Sequence, residues 1–78
     1  MEKEIPHIGK IIQKKMKEEG LKAFWLAQKI HCDTSIVYRI YKQQHPDIKR
    51  LIDICFHLNI NLFSHYSDYI QQQIEKKK

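Results

Sequence analysis

Apolar residues recur every three to four positions along almost the whole chain, which is the period of an α-helix. The first run of this kind is formed by Ile8, Ile11, Ile12 and Met16. Pro6 suits the first turn of a helix and Gly20 suits a left-handed end, so the first helix is predicted to start just after Pro6 and to stop at Gly20. The Asn-Gly and Asp-Gly pairs typical of β-hairpins are absent, so the pattern predicts an all-α fold.

Two further helices are predicted over residues 23–30 and 34–42, and only His31-Cys32-Asp33 separates them. Asp33 is a good N-cap, because its carboxylate can accept from the backbone amides two and three residues later. The residues expected to face inward are Leu26, Ala27 and Ile30, then Ile36 or Val37, Ile40 and Tyr41. A connection this short indicates two helices that cross steeply, as in a helix-turn-helix.

A fourth helix is predicted over residues 48–58 and a fifth over residues 62–75. Asp47 is expected to cap the fourth, Asn59 to end it in the left-handed conformation, and Asn61 to cap the fifth. Their apolar stripes are Ile48, Leu51, Ile52, Cys55 and Leu58, then Leu62, Phe63, Tyr66, Tyr69, Ile70 and Ile74. The sequence thus predicts one domain over residues 1–78, folded over about 6–75 as a compact five-helix bundle, with frayed ends that include the lysine tail.

The formal net charge is +5, and it is concentrated in the middle of the chain. Residues 21–50 carry six basic and two acidic side chains, whereas the segments before and after are close to neutral. A basic window on a small domain is typical of a polyanion binder, although a solvated surface is the simpler alternative. No apolar run is long enough for a membrane span, and the charged N-terminus does not resemble a signal peptide, so a cytoplasmic protein with reduced Cys32 and Cys55 is expected.

Metal and enzyme chemistry are poorly supported by the spacing of the reactive residues. His31-Cys32 and Cys55-Phe56-His57 lack the separations of a zinc site. Neither a Gly-rich phosphate loop nor a paired set of carboxylates is present, and Cys55 and His57 point apart on a helix. We therefore expect no metal, no cofactor and no enzymatic activity.

The spacing of the middle segment resembles the Cro/repressor-type (XRE-like) helix-turn-helix family. The resemblance covers about residues 7–70 and rests on Leu21, Leu26-Ala27, the turn at 31–33, Ser35, Val37, Arg39-Ile40, Pro46, Leu51, Leu58 and Asn61-Leu62-Phe63. It implies a lambda-repressor-like DNA-binding domain. It also implies a transcriptional regulator, repressor-like, that binds duplex DNA in a sequence-specific way.

The family also implies a role for each part of the surface, with the third helix, about residues 34–42, lying in the major groove. The residues implied to read bases are Thr34, Ser35, Tyr38 and Arg39. The residues expected to contact phosphates are Lys22, Lys29, Lys42, Gln43, Lys49 and Arg50. Arg39 suits its role because a guanidinium can bridge O6 and N7 of a guanine.

The chain departs from the family pattern at two places. His31 stands where the family usually has the glycine of the turn, so His31 is expected to adopt a positive φ at a steric cost of about 1 kcal/mol. Lys22 and Ala23 replace the usual Thr-Gln at the start of the second helix, so a hydrogen-bonded phosphate clamp is missing. The second departure affects the expected affinity more than the fold.

Exposed aromatic residues suggest a protein partner in addition to duplex DNA. A homodimer is expected, because this kind of DNA reader spans two half-sites. The candidate partner or dimer surface is Phe24, Trp25, Tyr66 and Tyr69, with a simple edge of a thin core as the alternative. A second hypothesis assigns the same fold to an antitoxin or a phage-type module that binds a toxin or a host factor.

Overall fold

Five helices make up the fold, and the computed structural model describes residues 5–77 of the chain. Within those residues there is no strand, so the predicted all-α five-helix bundle is confirmed. The predicted fraying of residues 1–4 and 78 lies outside the described residues. The elements are α1 (Ile8–Glu18), α2 (Ala23–Lys29), α3 (Thr34–Lys42), α4 (Ile48–Leu58) and α5 (Phe63–Lys76).

The core lies between the first four helices, with α3 packed against both α1 and α2. Each of these helices contributes side chains at the three- and four-residue spacing that the sequence shows. The buried apolar residues are Ile8, Ile12, Met16, Leu26, Ala27, Val37, Ile40, Tyr41, Leu51, Ile54, Leu58 and Leu62. Most of the inward residues predicted for the first three helices are therefore buried, with Val37 rather than Ile36 at the alternative position.

Three helices end in the same way, with a residue of positive φ that lets the chain fold back on the last turn. Gly20 has φ 67°, His31 has φ 55° and Asn59 has φ 55°. After each of them, the next amide donates to the carbonyl five residues earlier, as in a Schellman motif. The sequence predicted this conformation at all three positions. Asn61 lies two residues before α5, which starts one residue later than predicted, and its Oδ1 accepts from the amide of Phe63, the first residue of the helix, at 3.1 Å.

The predicted stripe of α4 is partly wrong. Leu51 and Leu58 are buried, but the third buried position is Ile54, whereas Ile48 is 66% exposed and Ile52 is 43% exposed. Apolar residues occur around most of this helix, so its periodicity fits more than one face. The neighbouring helices decide which face is covered.

The fifth helix also differs from its prediction, because none of its residues is buried. Leu62 is buried but lies just before the helix, while Ile70 and Ile74 are exposed. The helix runs on to Lys76, so the first lysine of the tail is helical rather than frayed. Tyr66 connects α5 to the loop between α3 and α4, since its hydroxyl lies 3.0 Å from Nδ1 of His45.

Candidate nucleic-acid interface

The turn between α2 and α3 is built by backbone hydrogen bonds around His31. The amide of His31 donates to the carbonyl of Gln28 at 3.4 Å, and the amide of Cys32 donates to the carbonyl of Ala27 at 2.9 Å. The second of these bonds depends on the positive φ of His31, a conformation that histidine adopts more readily than most residues. The turn therefore keeps the geometry of its usual glycine with a different residue.

Asp33 begins α3, but not in the predicted way. Its backbone is extended, with φ −74° and ψ 151°, as expected for an N-cap, yet its carboxylate accepts no hydrogen bond from the first turn. Instead, its backbone carbonyl accepts from the Ile36 amide at 2.9 Å. The prediction of a carboxylate cap is wrong. The backbone bonds at the turn set the start of the helix without it.

The outer face of α3 holds the residues implied to read bases. Ser35, Tyr38 and Arg39 are exposed on this face, and Thr34 is half-buried at its start. The opposite face is fixed in the core by Val37, Ile40 and Tyr41. Tyr38 is held by an edge-on contact with Tyr41, with 5.9 Å between the ring centroids. The helix thus presents a firmly anchored polar face.

The positive charge of this face is not neutralised internally. Across residues 5–77, the one ion pair is between Lys15 and Glu19, at 2.9 Å on α1. Arg39 and the lysines implied to contact phosphates take no part in it. Their charge is therefore available to an anionic partner in solution.

The residues expected to contact phosphates occur on three helices. Lys22 precedes α2 and makes no side-chain capping bond, and Lys29 lies over the Trp25 ring at 5.8 Å. Lys42 and Gln43 lie at the end of α3 and are exposed. On α4, Lys49 is exposed and Arg50 is half-buried in the first turn. The basic window of the sequence is thus spread over several elements.

A groove between α1 and α3 adds two residues that the sequence analysis did not select. Its volume is about 340 Å³, and its lining includes Lys10 and Gln13 of α1 together with Tyr38 and Lys42 of α3. No carboxylate lines it. Lys10 lies outside the basic window along the sequence, so only the packing of α1 on α3 brings it beside the outer face of α3.

The aromatic residues considered for a partner surface lie on two different helices. Phe24 of α2 is 62% exposed, while Trp25 is half-buried against the core. Tyr66 and Tyr69 of α5 are half-buried, and Tyr66 packs on Phe63 with 6.3 Å between the ring centroids. Phe24 is thus the one of these four with a largely exposed ring.

Residues 5–77 contain neither a cluster of metal-binding side chains nor a membrane-spanning helix. In residues 5–77, no three His, Cys, Asp or Glu side chains are grouped so that they could hold a metal ion. None of the described helices has the length and apolar character needed to cross a membrane. Cys55 is engaged locally, because its Sγ accepts from the Leu62 amide at 3.4 Å.

Comparisons with known proteins agree with this geometry. The family model of the Cro/C1-type HTH DNA-binding domain matches residues 11–63, which is more than half of the chain and includes the turn and α3. No curated protein matches the sequence significantly. The fold is similar to the crystal structure of a mutant of the restriction-modification controller protein C.Esp1396I, with a TM-score of 0.66 and 21% identity over 91% of this chain and 94% of that chain. The chain therefore belongs to the Cro/C1-type helix-turn-helix DNA-binding family and is a DNA-binding transcriptional regulator.

Proposed function

We propose that this regulator binds a two-fold-symmetric operator as a homodimer, in the cytoplasm, and represses transcription there. Helix α3, Thr34–Lys42, enters the major groove in this proposal. The observation that carries it is the outer face of α3, where exposed Arg39 has no internal carboxylate partner within residues 5–77. The likeness of the fold to a restriction-modification controller protein also supports a regulatory role.

Base reading is assigned to the first two turns of α3. Arg39 can form a bidentate contact with a guanine, which discriminates against other bases by about 1–3 kcal/mol. Ser35 and Thr34 offer hydroxyls to a base edge or a phosphate, and Tyr38 offers a ring for a thymine methyl group. The contact between Tyr38 and Tyr41 supports this assignment because it limits the motion of the Tyr38 ring.

Phosphate contacts are assigned to the basic residues and two glutamines around α3. These contacts position the domain without reading sequence, and they make binding dependent on salt. Lys10 and Gln13 join this set because they line the groove beside Tyr38 and Lys42. The full set is Lys10, Gln13, Lys22, Lys29, Lys42, Gln43, Lys49 and Arg50.

Selection from a pool of random duplex DNA, at two salt concentrations, tests the proposal. We expect an enriched motif of two inverted half-sites about one helical turn apart, with affinity that falls steeply as salt rises. Salt-sensitive binding without an enriched motif would leave only phosphate contacts and overturn the assignment of base-reading residues. Absence of binding at low salt would overturn the proposal as a whole.

The alternative function is a protein-binding module of the antitoxin or phage type on the same fold. One observation favours it, namely the 62% exposure of Phe24 beside Lys22, where the usual phosphate clamp is missing. Aromatic residues, Phe included, are enriched in protein–protein interfaces relative to the rest of a protein surface. If a reading frame for a toxin lies next to this gene, co-purification of its product with wild type but not with Phe24→Asp would support the alternative.

A further inference from the structure

The outer face of α4 carries three large apolar side chains that the core does not use. Ile48 is 66% exposed, Ile52 is 43% exposed and Phe56 is 78% exposed. They are spaced four residues apart, so they form one continuous row along the helix, which we call the outer stripe. Leu51, Ile54 and Leu58 fill the core from another face of the same helix, so the outer stripe is additional to what folding needs.

The outer stripe continues into an apolar groove. The groove lies between α4 and the start of α5, has a volume of about 490 Å³, and is lined by Ile52, Phe56, Ile60 and Phe63 among others. The three residues of the outer stripe alone expose on the order of 350 Å² per chain, which is comparable to the largest apolar patches of whole monomeric proteins. Such a patch on so small a domain is typical of a binding surface.

The charges beside the outer stripe show which partner fits it. Lys49 and Asp53 are both exposed, lie four residues apart and flank the stripe on one side. Because this rim carries one basic and one acidic residue, it is complementary in charge to a second copy of itself that runs in the opposite direction. A two-fold axis at Ile52 would place Ile48 opposite Phe56 of the second copy, and Lys49 near Asp53 of the second copy.

We propose that a second copy of this chain docks on the outer stripe, with the two α4 helices antiparallel. The proposal rests on the proposed function, because reading two half-sites requires two copies. A standard interface buries about 800 Å² on each side, so the outer stripe, the groove and the charged rim make a small one. We therefore expect a dimer that assembles at micromolar concentrations.

This arrangement excludes two roles, namely a phosphate contact for Lys49 and a dimer contact for Tyr66. Lys49 faces Asp53 of the second copy and leaves the set of phosphate contacts. The dimer surface lies on α4, while Tyr66 keeps its contacts with His45 and Phe63 inside one chain. Phe24, on α2, lies outside the interface and provides a matched control, since it is the other strongly exposed phenylalanine.

Analytical ultracentrifugation of the full chain without DNA tests the surface. We expect wild type and Phe24→Asp to form dimers, and Phe56→Asp to raise the dimer dissociation constant at least about 30-fold. Phe56 is mostly exposed, so circular dichroism at a concentration low enough for both proteins to be monomeric should show the same melting temperature for Phe56→Asp as for wild type. A wild type that stays monomeric at all concentrations, or a Phe56→Asp variant as dimeric as wild type, would overturn the proposal.

A charge exchange tests the antiparallel arrangement with variants that leave the apolar surface intact. Lys49→Asp and Asp53→Lys should each weaken the dimer several-fold, because each places like charges together across the rim. The double variant restores the pairing in reverse and should recover most of the wild-type dissociation constant. Additive weakening in the double variant would overturn the antiparallel arrangement.

The DNA measurements separate failure of this inference from failure of the proposed function. Phe56→Asp should bind a duplex with a single half-site as wild type does, while it loses the gain in affinity that wild type shows on a duplex with two half-sites. A wild type that dimerises but binds no DNA would refute the operator proposal and leave the dimer surface standing. If wild type and Phe56→Asp gain the same affinity from a second half-site, the dimer surface is refuted but the operator proposal is not.

Discussion

The amide of Gly9, in the first turn of α1, donates to the carbonyl of Gln43, just after the end of α3, at 3.0 Å. The neighbouring amide of Ile8 donates in the same way to the carbonyl of Gln44 at 2.9 Å. These bonds pair amides that lack a partner at the start of one helix with carbonyls beyond the end of another. They join α1 to the helix that carries the candidate base-reading residues, and they require the two backbones to approach closely.

We predict that Gly9→Ala destabilises the fold by about 2–4 kcal/mol. A Cβ at this position would lie 2.3 Å from the carbonyl oxygen of Ile40 and 2.4 Å from that of Gln43. Because these are backbone atoms, the contact can be relieved only if α1 moves away from α3. Urea unfolding followed by circular dichroism measures the change.

The loss of stability predicted for Gly9→Ala is opposite in sign to the usual effect of replacing glycine by alanine in a helix. In an exposed helix, alanine is about 1 kcal/mol more favourable than glycine, so an unstrained site would be stabilised. Gly20→Ala is the comparison, because its φ is 67° but nothing lies within 4 Å of the added Cβ. We expect a loss of about 1 kcal/mol there. Equal losses at both positions would contradict the close approach at Gly9.

We predict that His31→Gly stabilises the protein by about 0.5–1 kcal/mol and raises its melting temperature by a few degrees. The side chain is exposed, and the left-handed backbone at φ 55° is strained for a residue with a Cβ. The gain is reduced by the larger entropy of glycine in the unfolded chain. His31→Ala keeps the Cβ and should be no more stable than wild type, and a rise in that variant too would assign the effect to the imidazole ring.

The proposed roles of Arg39 and Lys42 predict two different binding profiles. Arg39→Ala should lose about 1–3 kcal/mol on the preferred duplex and relax the preference at one base pair. Lys42→Ala should weaken binding to all sequences alike, because a phosphate contact carries no sequence information. Affinities measured on a panel of single-base variants of the operator distinguish the two. Uniform weakening by Arg39→Ala would refute its assignment to base reading.

The groove between α1 and α3 predicts a phosphate contact from Lys10. We expect Lys10→Gln to lower the slope of log affinity against log salt by about one unit, with unchanged sequence preference. Lys76→Gln, at the last residue of α5, is the control and should leave the slope as it is. Fluorescence anisotropy across a salt series measures both variants. An unchanged slope for Lys10→Gln would exclude Lys10 from the interface.

Ionisation of Tyr41 should lower the free energy of unfolding of the protein above about pH 10. Burial raises the pKa of the Tyr41 hydroxyl above its ordinary value, and the charge of nearby Tyr38 adds to the effect. A raised pKa in the folded state means that its contribution is complete below the ordinary pKa and is lost as the pH rises through the folded value. Denaturant unfolding at neutral and alkaline pH should therefore show a smaller alkaline loss for Tyr41→Phe. Equal losses in the variant and the wild type would contradict this origin.

The sequence by itself determined the local structure, since helical spacing, caps and turn residues act within a few positions of the chain. The bounds of α3 and α4 agree with the prediction, and Gly20, His31 and Asn59 adopt the expected left-handed conformation. The resemblance to the DNA-binding family also rested on local spacing, and the family match confirmed it.

Only the tertiary structure decided which surfaces face each other. Apolar residues occur around most of α4, so the choice of Ile54 for the core, rather than Ile52, depended on where the other helices lie. The close approach at Gly9 and the position of Lys10 beside Tyr38 depend in the same way on the packing of α1 against α3. Sequence periodicity specifies the faces of one helix, whereas contacts between residues far apart in the chain select among them.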